Sequence, residues 1–296
     1  MSKTKKFFMI CGIVFVVGIG LLLAGRAIGG PVMPVDQLSI GSGENGVNME
    51  VGDVQSDSIV ELSDFRNIEV EGKGDVVIVG TDSIPALMGI EEDGYQDFSK
   101  DIINRIIEDA SSDLTDAVAG TVICNYVPET GKPQVTLEDS TLKIKTNSTD
   151  TDIMVVCPQH DMDSIKVKNV EGDTVIGGIT YGEADVEAIL GDIQIVGVTS
   201  NGMKVINTDG ETEISGIIKG TTEIGADSGD VEVQSQLDKS QYTIDVTSDI
   251  GTIECQDSNS SDDKDYDEHY KSGSGPNKLI IKTLSGDVEL ELGTTR

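Results

Sequence analysis

Tryptophan is absent from this 296-residue chain, histidine occurs twice, cysteine four times, and aromatic residues make up only 4%. So few imidazoles and thiols, with the cysteines scattered singly, leave little material for a zinc site, a Cys/His nucleophile pair or a haem pocket. Cations are scarce too: 21 Lys plus Arg stand against 53 Asp plus Glu, a formal net charge of −32. That balance excludes a nucleic-acid-binding surface as the main business, because phosphate contacts need clustered cations. These shortages lean away from an enzyme. What is present is enough Val, Ile and Leu to build a core, with 37% apolar and 25% charged residues, so the chain folds and is no acidic tail.

The charge is unevenly placed. Residues 1–26 carry Lys3, Lys5, Lys6 and Arg26 and no acid, which leaves 17 Lys plus Arg against all 53 acids downstream, a formal charge of −36. From Phe7 to Gly25 runs an uncharged apolar stretch of nineteen residues. As a helix it spans roughly 28 Å, the thickness of a hydrocarbon core. The basic start MSKTKK then stays cytoplasmic by the positive-inside tendency and the acidic part lies outside. The expectation is a single-pass plasma-membrane protein with N-terminus in and C-terminal domain out. A cleaved secretory signal is the competing reading, with Gly25 and Ala27 as the small residues at the cut, although its apolar run is usually shorter. Export follows either way. Cys11, inside the run, reads as a packing residue.

Residues 26–63 read as a linker, rich in Gly, Ser and Asp, with Pro31 and Pro34 and no convincing regular element. Further on a fixed step appears: Gly172-Asp173, Gly191-Asp192, Gly210-Glu211 and Gly229-Asp230 are spaced by 19 residues, and Gly251 and Gly286-Asp287 continue the series. A fixed step means stacked units. Two and four residues after each Gly stand mainly apolar or β-branched residues, such as Ile193 and Ile195 or Val231 and Val233. Between them, three after the Gly, stand Val175, Gln194, Glu213, Glu232, Glu254 and Glu289. This period of two is that of a half-buried strand, and upstream columns such as Val167, Val186, Val205 and Ile224 repeat it. Each unit therefore supplies two short strands around a turn. A meander would not need one unit length, whereas a solenoid stacks equivalent positions about 4.8 Å apart. The expected fold is all-β, a parallel β-solenoid or β-roll with a narrow Val/Ile interior; Phe65 and Phe98 are the only Phe residues downstream of the apolar stretch.

The glycines fit tight turns that need positive φ, and an Asp after Gly fits an Asx turn; cation coordination is the sharper alternative. Stacking Asp173, Asp192, Glu211 and Asp230 in one column sets up repulsion of roughly 0.8 kcal/mol per neighbouring pair even in water. Backbone N–H groups or bound Ca²⁺ must offset it. Two insertions interrupt the repeat. One spans residues 88–120, where Phe98, Ile102, Ile103, Ile106, Ile107, Ala110, Leu114 and Val118 form a helical stripe. A helix covering an end or face of the solenoid is expected there, with a partner-binding helix as the alternative. The other, residues 257–277, is an acidic loop. Its Asp257, Asn259, Ser261, Asp265 and Glu268 fall at positions 1, 3, 5, 9 and 12 of an EF-hand loop. Asp262 stands where that loop needs Gly, Lys264 where it needs an apolar residue, and no helices flank it, which favours a plain solvated loop.

Cys124, Cys157 and Cys255 form an odd set. Cys255 falls in an inward column as a small hydrophobe, while pairing of the other two stays open. His160, in CPQH, reads as a loop residue. No catalytic triad is recognisable, and no cofactor is implied beyond the Ca²⁺ alternative.

The segments LKIKT, IMVVCPQHDMDSIKVKNVEGDTVIGGI, GDIQIVGV, SGDVEVQ and LIIKTLSGDVELEL resemble a bacterial domain-of-unknown-function family called "putative adhesins". It has β-strand repeats and is typical of Gram-positive envelope proteins, including the G protein of Lia stress operons. The resemblance spans Phe65 to Leu292 and rests on an I-x-x-P lead into a strand followed by recurrent S-G-D-[IV]-x-[IV]. Here Cys157 stands before Pro158, and the two insertions depart from the plain pattern. The resemblance implies a membrane-anchored or exported β-repeat domain over residues 64–292, without an assigned reaction or binding residues.

The leading expectation is a non-catalytic, membrane-anchored envelope scaffold for adhesion or interaction, within a cell-envelope stress system. Glu213, Glu232, Glu254 and Glu289 form its candidate contact face for a cationic envelope partner, a glycan or bridging Ca²⁺. A carbohydrate-active enzyme on a β-helix is the alternative, with Tyr181, Tyr242, Tyr266 and Tyr270 as the few aromatics for sugar stacking. A membrane sensor subunit is the third.

Overall fold

The computed structural model describes residues 39–43, 46–50, 58–62, 65–80, 119–127, 132–158, 161–257 and 264–293. The expected membrane segment Phe7–Gly25 and, except for residues 119 and 120, the expected helical insertion 88–120 lie outside the described residues. No helix among the described residues is long and apolar enough to cross a membrane. These residues are almost wholly strand, with one 3-10 turn at Lys239–Gln241.

Pairing at the 19-residue offset is parallel and in register. Ile193 stands beside Thr212 and Ile195 beside Ile214, and on the other side of the coil Val186 stands beside Val205 and Val205 beside Ile224. Alternate side chains enter one interior, so Ile165, Val167, Ile176, Val186, Ile195, Val205 and Ile214 all join the buried core. Two faces enclose it. The first holds the strands that follow each Gly-Asp turn, the second those that precede it. The expected short strands are longer than read: Ile193–Asp209 and Thr212–Ser228 are continuous strands of 17 residues that bend from one face to the other near Gly197 and Gly216. Both glycines hold positive φ, which lets the strand turn the corner without ending.

The coils do not stack in chain order. The first, Asn67–Gly72 with Val76–Gly80, lies between the coil of Thr141–Lys145 and Thr151–Cys157 and the coil of Met162–Glu171 and Thr174–Gly177. At the far end the last coil, Asn277–Ser285 with Val288–Leu292, inserts between Thr212–Ser228 with Val231–Ser235 and Tyr242–Asp257. The expected order of glycines, Gly229 then Gly251 then Gly286, becomes Gly229, Gly286, Gly251. A Cβ added at Gly286 would lie 2.1 Å from the Gly229 carbonyl, and one at Gly251 2.1 Å from the Gly286 carbonyl.

Antiparallel strands close both ends. Gln134–Glu138 covers Thr141–Lys145, and Thr121–Tyr126 covers Thr151–Cys157. Lys264–Gly273 folds back on Tyr242–Asp257. Two expectations are corrected here. Part of the linker 26–63 is strand, with Ser39–Gly43 paired to Gly46–Glu50 and Ser58–Glu61 paired to Thr121–Tyr126. Half of the acidic loop 257–277 is also strand. Both were hidden because edge strands take their order from backbone pairing and need no apolar alternation.

Candidate functional site

The Gly-Asp turns build one edge of the coil. In stack order the column runs Gly74, Gly172, Gly191, Gly210, Gly229, Gly286, Gly251, each approaching the carbonyl of the turn beneath it. Gly191 has φ +136°, and an added Cβ would meet the Gly172 carbonyl at 2.2 Å, so both conformation and contact demand glycine. The following carboxylates resolve the repulsion set up by the sequence. Asp75 Oδ1 accepts from Asp173 N at 2.8 Å, Asp173 Oδ1 from Asp192 N at 2.9 Å, and Asp192 Oδ1 from Glu211 N at 2.7 Å. Asp230 Oδ1 accepts from Asp287 N at 2.8 Å, and Asp287 Oδ1 from Thr252 N at 2.7 Å and Thr252 Oγ1 at 2.9 Å. Each carboxylate thus binds a backbone donor of the next coil, a structural use that supplies the offset without a cation. At Glu211 the longer side chain replaces Asp, and burial, then the nearby Asp192 and Asp230 charges, raise its pKa above the ordinary glutamate value.

Inside the same edge, Asn169 Nδ2 donates to the carbonyls of Gly74 and Gly172, both at 2.9 Å. Two coils on, Asn207 Nδ2 donates to the Gly191 carbonyl at 3.2 Å and the Glu211 carbonyl at 3.1 Å. One amide serves two layers, which is why Ala188 and Ala226 suffice at the equivalent positions between and after them. Sequence reading passed over these asparagines; their 38-residue spacing, twice the repeat, was the available signal.

On the outside of the first face the predicted glutamates come together. Register places Glu213 beside Glu232, Glu232 beside Glu289, and Glu289 beside Glu254. The row is real, but its order differs from chain order, with Glu289 in third place. The side chains are half-buried, not fully wet as expected, because at strand spacing they lie along one another. Glutamine amides bridge them. Gln194 Nε2 donates to Glu213 Oε2 at 2.6 Å, Gln234 Nε2 to Glu232 Oε1 at 2.5 Å, and Gln256 Nε2 to Glu254 Oε1 at 2.9 Å and Glu289 Oε1 at 3.4 Å. Burial, then the charges of Glu232, Glu254 and Glu291, raise the Glu289 pKa.

Three of the five EF-hand positions lie on strands. Asp257 ends one strand, Asn259 and Ser261 lie outside the described residues, and Asp265 and Glu268 lie on the strand Lys264–Gly273, with Asp265 in register opposite Glu254. No cluster of three or more potential metal-ligating side chains occurs among the described residues.

Three of the four aromatics proposed for sugar stacking turn inward, Tyr181 being 0%, Tyr242 1% and Tyr270 4% exposed, while Tyr266 stands in register opposite Ile253. Tyr242 Oη lies 2.6 Å from both Ser235 Oγ and the Ile218 carbonyl, a core role. Cys124, Cys157 and Cys255 are buried, and no disulfide joins them. Burial pushes the Cys124 and Cys157 thiols up to about 12, so neither is a thiolate nucleophile at neutral pH. Cys124 pairs with Ile153, four residues from Cys157, which leaves the two thiols about 13 Å apart along the strand, outside disulfide reach. His160 lies outside the described residues.

These features define a class of protein: an exposed-turn β-solenoid whose coils are stitched by Gly-Asp ladders and which carries one acidic and one mixed-charge face. The Toastrack DUF4097 family model matches residues 120–291, and the chain belongs to that family. The adhesin-like resemblance read from the repeat segments stands. The chain is similar to a crystal structure named "putative cell adhesion protein" from Clostridium sporogenes, with 14% identity, 80% of this chain and 99% of that one covered, and a TM-score of 0.35. It is similar also to a "putative adhesin" from Bacteroides fragilis, with 11% identity, 79% and 95% covered, and a TM-score of 0.31. No curated protein matches the chain.

Proposed function

We propose that this chain is an envelope-anchored interaction scaffold without chemistry of its own, acting in the envelope or its stress response. Phe7–Gly25 holds it in the plasma membrane, and the glutamate row Glu213, Glu232, Glu289, Glu254 meets a cationic partner or Ca²⁺ bridging to the envelope. The observation that carries this reading is the contrast between faces. On the second face charges of opposite sign alternate from coil to coil, whereas on the first four like charges are stacked. Stacking like charges at about 4.8 Å costs roughly 0.9 kcal/mol per neighbouring pair in water, so the row is retained at a cost to stability. The names of the similar solved structures point the same way.

Replacing all four glutamates by Gln in the full-length chain is expected to abolish its binding to envelope fractions; unchanged binding removes this face from the proposal. Calcium titration of the same pair of proteins by calorimetry separates the partner from the ion. Alkaline extraction of cell membranes tests the anchor: full-length chain released into the soluble fraction refutes it.

A further inference from the structure

The second face carries a charge ladder built from six coils. In stack order its middle column reads Lys143, Glu69, Lys166, Asp185, Lys204, Glu223, strictly alternating in sign, and it is bounded by the uncharged Thr136 and Ile280. The next column outward reads Lys145, Glu71, Lys168, Glu187, Ile206, Gly225. Lys145 and Lys168 pair within the chain, with Glu71 at 3.3 Å and Glu187 at 3.2 Å. In a domain this acidic, the ladder is a broad balanced surface.

An alternating column with an even number of charges is complementary to itself when reversed. We infer that this face binds a second copy of the chain about a two-fold axis lying in the face and perpendicular to the column. That operation sets Lys143 against the partner's Glu223, Glu69 against the partner's Lys204, and Lys166 against the partner's Asp185. The next column obeys the same operation: Lys168 meets the partner's Glu187, while Glu71 and Lys145 meet the uncharged positions of Ile206 and Gly225. A two-fold contact uses the same patch on both copies, and here the patch meets that requirement in its sign pattern. The acidic face cannot do so, because any two copies of it repel. A groove of about 670 Å³ beside the ladder, bordered by Asn201, Gly202, Gly220 and Thr221, leaves room for the partner's long side chains.

Six strands at about 4.8 Å by five residues at about 3.3 Å give a footprint of roughly 480 Å². That is below the ~800 Å² per partner of stable complexes, so the contact is a weak one that forms where copies are crowded. It stands independently of the glutamate row.

The test uses the full-length chain in detergent micelles at concentrations up to about 1 mM. Sedimentation equilibrium is expected to show dimers. Zero-length carbodiimide cross-linking with mass spectrometry is expected to join Lys143 to Glu223 and Glu69 to Lys204. In one chain the first pair lies five coils apart, about 24 Å, so that link forms only between copies. Replacing Lys143, Lys166 and Lys204 by Gln together with Glu69→Gln, Asp185→Asn and Glu223→Gln leaves net charge unchanged and is expected to weaken association at least ~10-fold. The milder pair Lys166→Gln with Asp185→Asn is expected to weaken it at least ~3-fold, covering a misfolded sixfold variant. A wild-type chain that stays monomeric, a dimer linked through other residues, or a dimer unaffected by both variants overturns the inference.

Discussion

At the scale of residues, stability rests on polar side chains that satisfy the turns. Asn207→Leu leaves the carbonyls of Gly191 and Glu211 without their buried donor and is expected to cost about 1–3 kcal/mol, read as a lower denaturation midpoint in urea. Glu211 and Glu289 set a pH dependence. Their folded-state pKa values are raised, chiefly by burial and then by neighbouring carboxylates, so their contribution is fully present below the unfolded glutamate pKa and is lost as pH rises through the folded values. Thermal unfolding is therefore expected to occur at higher temperature near about pH 5 than near about pH 7, and Glu211→Gln with Glu289→Gln is expected to flatten the difference. Asp245 acts in the opposite sense: His269 at 3.0 Å and Lys271 at 3.0 Å hold its pKa low, so its contribution is lost only as pH falls further.

At the scale of elements, the stacking order decides what each coil supports. Tyr242–Asp257 pairs only with the last coil and with its own hairpin strand Lys264–Gly273, among the described residues. Truncation after residue 276 therefore removes an inner layer, not a tail. It is expected to strip amide-exchange protection from residues 242–257 while coils 162–228 stay protected. Protection retained at Val246 and Ile253 would refute the stacking order. Tyr270 seals the hairpin end, 4% exposed, with Cys255 Sγ 3.6 Å from its hydroxyl and Lys239 Nζ 5.4 Å from its ring centroid. Tyr270→Ala is expected to destabilise by about 3–5 kcal/mol in chemical denaturation, the range for emptying a large buried aromatic site.

At the scale of the whole molecule, charge is sorted by face. The quadruple Gln variant of the glutamate row is expected to raise the melting temperature at low salt while losing envelope binding. The gain is of order 1–2 kcal/mol and is expected to shrink at about 0.5 M salt, where exposed charges are screened. Loss of stability in that variant would mark the row as structural. Reduced envelope binding with raised stability is the signature of a surface kept for contact.

The sequence by itself determined the coil. A 19-residue step with period-two alternation allows only a stack of equivalent strands, and it named Glu213, Glu232, Glu254 and Glu289 as one row because all four share one offset from a turn glycine. The use of Asp173 and Asp192 was half legible: their repulsion was, but which donors answered it depended on the rise between coils. Tyr181 and Tyr242 were misread as surface aromatics because neither falls on the repeating apolar columns. Tertiary structure alone decided the order of the coils. Parallel pairing gains about the same from any coil with a matching Val/Ile edge, so chain order does not fix stack order once the segments between residues 80 and 119 and between 257 and 277 are long enough to reach past a layer. That choice put Glu289 between Glu232 and Glu254, and it set Glu69 between Lys143 and Lys166, completing a charge ladder whose first two rungs lie outside the 19-residue register.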